Sequence, residues 1–192
     1  MQQSNLSRHI MNVTAFYREL FRSLESGTGV VNKDTISAVI GFDGGGPLNF
    51  CKLGSVDSDG FISYVSCELA LRNEQIPASC GRYEILTTAN NEEWVRSVLT
   101  DIGRMTLEVG FDDGHTLDIT SWTGKDVSIR GIVFEVYTTT SISSITYGVM
   151  RCHGVTIDEL EYARQSGSSN LLKKLKERGI YPKTDINRTS IL

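Results

Sequence analysis

Apolar residues in this chain recur at helical spacing, then at strand spacing, and then switch back. The order of those switches narrows the fold before any other property is considered. Residues 10–26 place Ile10, Val13, Phe16, Tyr17, Leu20, Phe21 and Leu24 three and four apart, which lines one helix face, and Gly27 and Gly29 then mark its end. From Thr35 the period becomes two, with Ile36, Ala38, Ile40 and Phe42 alternating against Thr35, Ser37, Val39 and Gly41, so a strand runs into the glycine cluster at 44–46. A second strand is expected near Leu48 to Leu53, a turn at Asp57 to Gly60, and a longer strand from there through Leu69. "GRYEILTT" reads as another strand, since Tyr83, Ile85 and Thr87 alternate in a β-branched and aromatic run. Asn90 with Glu93 three residues later forms a capping box for a helix marked by Trp94, Val98, Ile102, Met105 and Val109. "DDGHTLDIT", "VSIRGIVFEVY" and "SSITYGVMRC" supply further strands, and Thr156 with Glu159 opens a helix to about Ser166. A last helix over Ser169 to Arg178 is stopped by Gly179, with Pro182 beyond. This order lacks the regular alternation of a doubly wound parallel sheet. It predicts a single α+β domain with a mixed, mainly antiparallel sheet flanked by helices.

The bulk properties exclude several functions. At 192 residues, with 40% hydrophobic and 22% charged residues, the chain is long and apolar enough to bury a core. A formal net charge of -4 provides no basic footprint for phosphate contacts, which argues against a nucleic-acid partner. No apolar run approaches the roughly 20 residues that cross a bilayer. The first ten residues, "MQQSNLSRHI", are polar where a secretory leader is apolar, so no membrane role and a cytoplasmic location are expected. Cys51, Cys67, Cys80 and Cys152 form no Cys-x-x-Cys; their even number raises the question of disulfides, but in a reducing compartment they read as small buried hydrophobes.

"GFDGGGPLNF" lacks the Lys-Ser or Lys-Thr pair of a phosphate loop, and Pro47 stands where a helix should begin. Gly44 to Gly46 therefore read as a turn, and a small-molecule-binding domain or enzyme with its site under that loop is the competing reading. "DSDG" at 57–60 brings its glycine two positions early for a calcium loop and reads as a polar turn. Cys152 and His153 are adjacent, and on a strand they point to opposite faces, so they do not converge on one metal. A Cys-His nucleophile pair involving His115 or His153 with Cys51, Cys67 or Cys80 stays open on sequence alone, but no nucleophile-elbow or zinc-helix motif accompanies it. The lysines and arginine of "KKLKERG" suit a helix C-terminus. No catalytic, cofactor-binding or metal-binding residue is assigned, no cofactor is expected, and the partner-binding residues are unknown at this level.

Two blocks nevertheless carry a resemblance. In "GRYEILTTANNEEWVRSVLTDIGRMTLE", residues 81–108, an Arg-Tyr-Glu strand leads into a tryptophan-bearing helix. In "GVTIDELEYARQSGSSNLLKKLKERGIYPKTDINRTSIL", residues 154–192, Thr-x-x-Glu-Leu, a Gly-Ser step before a Leu-Leu helix, and Asp185, Asn187, Arg188 and Ser190 follow in order. Together they resemble the suppressor-of-fused domain family in its short bacterial form. The resemblance implies a non-enzymatic protein-binding module occupying residues 1–192; the polar tail 180–192 carries Ile180, Tyr181, Ile186 and Ile191, which are expected to dock it against the core. Animal members of the family grip a short peptide as an added strand, and many bacterial members are similar to immunity proteins that neutralise a polymorphic toxin stoichiometrically. A cognate toxin or other protein client is therefore the expected partner, with the oligomeric state open.

Overall fold

The computed structural model describes residues 13–28, 31–36, 41–54 and 57–192. Its elements are α1 (Val13–Thr28), β1 (Val31–Ile36), β2 (Phe50–Leu53), β3 (Ile62–Ser66), β4 (Arg82–Ala89), α2 (Glu92–Met105), β5 (Thr116–Asp118), β6 (Gly131–Ile142), β7 (Ile145–Val155), α3 (Ile157–Ser166), α4 (Ser168–Glu177) and β8 (Lys183–Thr184). The strands form one sheet in the order β1-β2-β3-β4-β7-β6-β5, with β8 on β4. Neighbours are antiparallel except for β4, which runs parallel to both β7 and β8. The fold is α+β with a mixed, mainly antiparallel sheet, as the order of periods predicts.

Strand alternation divides the core by face. Tyr83 and Ile85 of β4 and Met150 and Cys152 of β7 point to one side, where Trp94, Val98, Leu99 and Ile102 of α2 complete the largest apolar cluster. Leu86, Tyr147 and Val149 point to the other side and are covered by Phe16, Leu20 and Leu24 of α1, a strict four-residue stripe. Further along that second face, Val133 and Val155 are covered by Leu160 of α3 and Leu171, Leu172 and Leu175 of α4. Full burial of side chains of this size contributes about 1.5–3 kcal/mol each.

Local chemistry moves several boundaries from their expected places. Residues 10–12, Gly29 and 37–40 lie outside the described residues; α1 runs through Gly27, and Phe42–Gly44 is a single 3-10 turn. The cap of α2 is Asn91, whose Oδ1 accepts from Trp94 N–H at 2.8 Å, so the expected Asn90 and Glu93 box does not form; Asn90 instead reaches Asp185 in the tail. Val109 lies beyond the helix and is 49% exposed, because Thr106 closes the last turn on Gly103 and its carbonyl accepts from Ile76. β3 ends at Ser66 rather than Leu69, because the N–H groups of Leu69 and Ala70 turn to the Glu84 carboxylate. The Asp57 to Gly60 turn forms as expected, with Gly60 at φ +84. The Thr156 and Glu159 capping box opens α3. Gly154 is a residue where any side chain is excluded: a Cβ there would lie 2.3 Å from Thr184 Cγ2, the contact that seats β8.

Candidate functional site

Gly44 and Gly46 donate to Gly41 O, and the Arg104 guanidinium donates to the carbonyls of Gly45 and Gly46 at 2.8 and 3.3 Å. The loop thus presents carbonyls to a cation, which is the wrong polarity for cradling phosphate. Its own Phe42 fills the space beneath, buried and flanked by the guanidiniums of Arg72 and Arg104 at 4.8 and 5.9 Å. The groove beside it, about 580 Å³, is lined by both signs of charge, including Glu92, Glu93, Arg96 and Asp101. Among the described residues no group of three or more His, Cys, Asp or Glu side chains is placed to hold a metal. Cys152 and His153 do face opposite ways, and the imidazoles find other partners than sulfur: His115 Nδ1 accepts from Asp112 N–H, and His153 meets Glu135.

The second face of the sheet carries a polar seam between the α1 cluster and the α3/α4 cluster. Glu135 of β6 and Arg151 of β7 are cross-strand partners there, with His153 two residues along. His153 Nε2 lies 2.9 Å from Glu135 Oε2, Tyr181 OH donates to the same oxygen at 2.9 Å, and Lys176 reaches Oε1 at 3.5 Å. Arg151 donates to Tyr181 OH at 2.8 Å and lies over the Tyr137 ring at 3.9 Å. His153 and Arg151 are only 3% and 4% exposed. Burial holds His153 below its ordinary value, against the hydrogen bond and charge of Glu135. Burial pulls Glu135 upward, but the hydrogen bond and charge of His153, the Tyr181 hydrogen bond and the Lys176 charge outweigh it and bring Glu135 down to about 2. Apart from Arg151 Nε, which is buried without a partner, these side chains bond to one another, which suits a structural clamp.

The outer edge of β6 is different. β6 and β7 are joined by Ser143 and Ser144, both at positive φ (51° and 66°), a two-residue turn whose twist matches the strands. With Ile142 and Ile145 as its closing pair, antiparallel alternation aims the backbone groups of Thr139 and Ser141 away from β7. On that side β5 pairs with Gly131 to Val133, Phe134 exchanges bonds with His115 and Gly114, and Asp113 Oδ1 accepts from Val136 N–H at 2.9 Å. A bulge follows between Val136 and Thr138, and beyond it no described residue pairs with the edge. Thr139 and Ser141 are exposed. Where the pairing stops, a cavity of about 600 Å³ opens, lined by Asp113, His115, Glu135, Ser168, Leu172 and Lys176 among others. Backbone groups left unpaired at Thr139 and Ser141 are a template for an added strand. Sequence reading named no such residues. Its one signal was the Thr-Thr-Thr-Ser run at 138–141 before a two-serine turn.

Comparison with known proteins agrees with the fold. The family model described as Suppressor of fused protein (SUFU) matches residues 47–189. No curated protein matches the chain. Among solved structures, one titled "the Sufu-Fu complex crystal structure" is similar with a TM-score of 0.69 at 17% identity, covering 93% of this chain and 91% of that one. The crystal structure of Drosophila Suppressor of Fused is similar with a TM-score of 0.66 at 17% identity, over 91% of this chain and 50% of that one, so the chain spans about half the fly protein's length. At that identity the structural likeness speaks for the fold, whereas the family model takes in both blocks that carried the sequence resemblance apart from the last residues. On that match the chain belongs to the suppressor of fused family.

Proposed function

We propose that this protein is a non-enzymatic protein-binding module of the short bacterial form, which neutralises a polymorphic toxin, or another protein client, by stoichiometric occupation of its surface. The observation that carries this reading is the outer edge of β6 at Thr139 and Ser141, which no described residue pairs, on the strand whose Glu135 lines a cavity of about 600 Å³. Main-chain bonds along such an edge supply affinity, and the cavity supplies selectivity. A protein of the same fold, seen with a partner in the structure titled as the Sufu-Fu complex, supports a binding role. Residues 1–192 act as one domain in this account. The tail 180–192, where Tyr181 packs on the seam and Arg188 pairs with Glu159, frames the face beside the edge. A cytoplasmic setting fits four free cysteines. The described helices include none long and apolar enough to cross a membrane, and the net charge of -4 disfavours nucleic acid.

The test uses proline, which removes a donor and obstructs pairing yet is tolerated on edge strands. Thr139→Pro and Ser141→Pro change only outward-facing backbone positions, so folding should persist. On co-expression with the product of the neighbouring reading frame, wild type is expected to purify as an equimolar complex, and the variants to bind at least about tenfold more weakly. Wild type that purifies alone and turns over a small substrate, or a complex indifferent to both prolines, contradicts the proposal.

A further inference from the structure

We propose that Cys51 and Cys67 form an oxidisable dithiol, a modification site at which a peroxide closes a disulfide between β2 and the chain leaving β3. Cys51 is the partner of Val65, and Cys67 N–H donates to Asn49 O at 3.0 Å, so the two cysteines are diagonal neighbours on one face of an antiparallel pair. Their sulfurs are 2.7 Å apart, with no third side chain between them. Both belong to the cluster under α1, Cys51 buried and Cys67 half-buried, with Tyr17 and Phe21 packed in the same cluster, so Cys67 is the more solvent-accessible residue of the pair. Cys80 and Cys152 are buried in the opposite cluster and make no sulfur-sulfur contact.

The chemistry needs only the two thiols and hydrogen peroxide. The Cys67 S–H donating to Cys51 Sγ holds Cys51 below the ordinary thiol value against its burial, which marks Cys51 as the sulfur that ionises first. Its thiolate attacks one peroxide oxygen, the O–O bond breaks, and the departing hydroxide takes the thiol proton as water. Cys51 is then a sulfenic acid. The Cys67 sulfur attacks Cys51 Sγ, the S–O bond breaks, and a second water leaves with the Cys67 proton. Two thiols have lost two electrons and two protons, and the peroxide has accepted them.

The full-length protein is treated with hydrogen peroxide, its remaining thiols are alkylated under denaturing conditions, and peptides are mapped by mass spectrometry. Two of the four thiols are expected to escape alkylation, as one intramolecular Cys51 to Cys67 cross-link that dithiothreitol reverses. In Cys67→Ser, dimedone should label Cys51, because the sulfenic acid has lost its resolving partner; if that variant does not fold, the wild-type map decides alone. Four alkylated thiols after treatment, a cross-link through Cys80 or Cys152, or separate sulfinic acids at Cys51 and Cys67 overturn the proposal.

Discussion

Arg188→Ala is expected to destabilise the protein by about 3–5 kcal/mol, the cost of leaving one member of a buried ion pair without the other. Glu159 is fully buried and Arg188 is 8% exposed, and the guanidinium engages both carboxylate oxygens in a fork. Burial alone would raise Glu159; the Arg188 hydrogen bonds and charge, with the N–H groups of Thr156 and Ile191, bring it below its usual range instead. Arg188 also donates to Gly154 O, so one side chain ties the tail to β7 and to the first turn of α3. Urea titration gives the stability change, and limited proteolysis should cut within 185–192 in the variant while wild type resists. A double variant, Arg188→Ala with Glu159→Ala, should lose less than the sum of the two singles, since the second change removes the stranded charge.

Glu84→Leu is expected to cost about 3 kcal/mol or more at nearly constant volume. The Glu84 carboxylate is fully buried on the α1 side of β4 and accepts from Tyr17 OH at 2.8 Å, Ala70 N–H at 2.9 Å, Leu69 N–H at 3.2 Å and Ser66 OH. The direction of the serine bond is set by its other contact, because Ser66 Oγ already accepts from Ile85 N–H. Leucine strands two backbone donors that cannot rotate away and releases the chain at 67–72 together with Tyr17 of α1. Desolvation pushes Glu84 up from its ordinary value, and the four donors work against that shift. Glu84→Gln keeps one acceptor oxygen and should cost less than leucine. Equal stability of wild type and Glu84→Leu in urea would remove this carboxylate from the account of how α1 is held.

These two sites show where the sequence was and was not legible. α2 and β4 were readable through periodicity, and the start of α3 through the Thr156 and Glu159 capping box, because both signals are local. The end of β3 was not, since the group that captures Leu69 and Ala70 is Glu84, fourteen residues or more away. The same holds for the cap of α2: Asn90 and Asn91 are equivalent as letters, and only the contact of Asn90 with Asp185, far along the chain, assigns the cap to Asn91. The parallel join of β4 to β7 also needs the third dimension. Of the candidate site, nothing was named beforehand. An edge is defined by what fails to pair with it, and the seam of Glu135, His153 and Tyr181 joins three separate segments through register alone. The C-terminal Arg188 was visible only through family resemblance, and its physical reason is the buried Glu159 it neutralises.

Amide hydrogen exchange on the protein alone and in complex with its protein partner is the most direct test of binding through the β6 edge. The account predicts that Thr139 and Ser141, solvent-facing in the free protein, exchange fast alone and become strongly protected in the complex, with smaller gains around Asp113 to His115. Protection that appears elsewhere while those two amides go on exchanging at the free rate would contradict it.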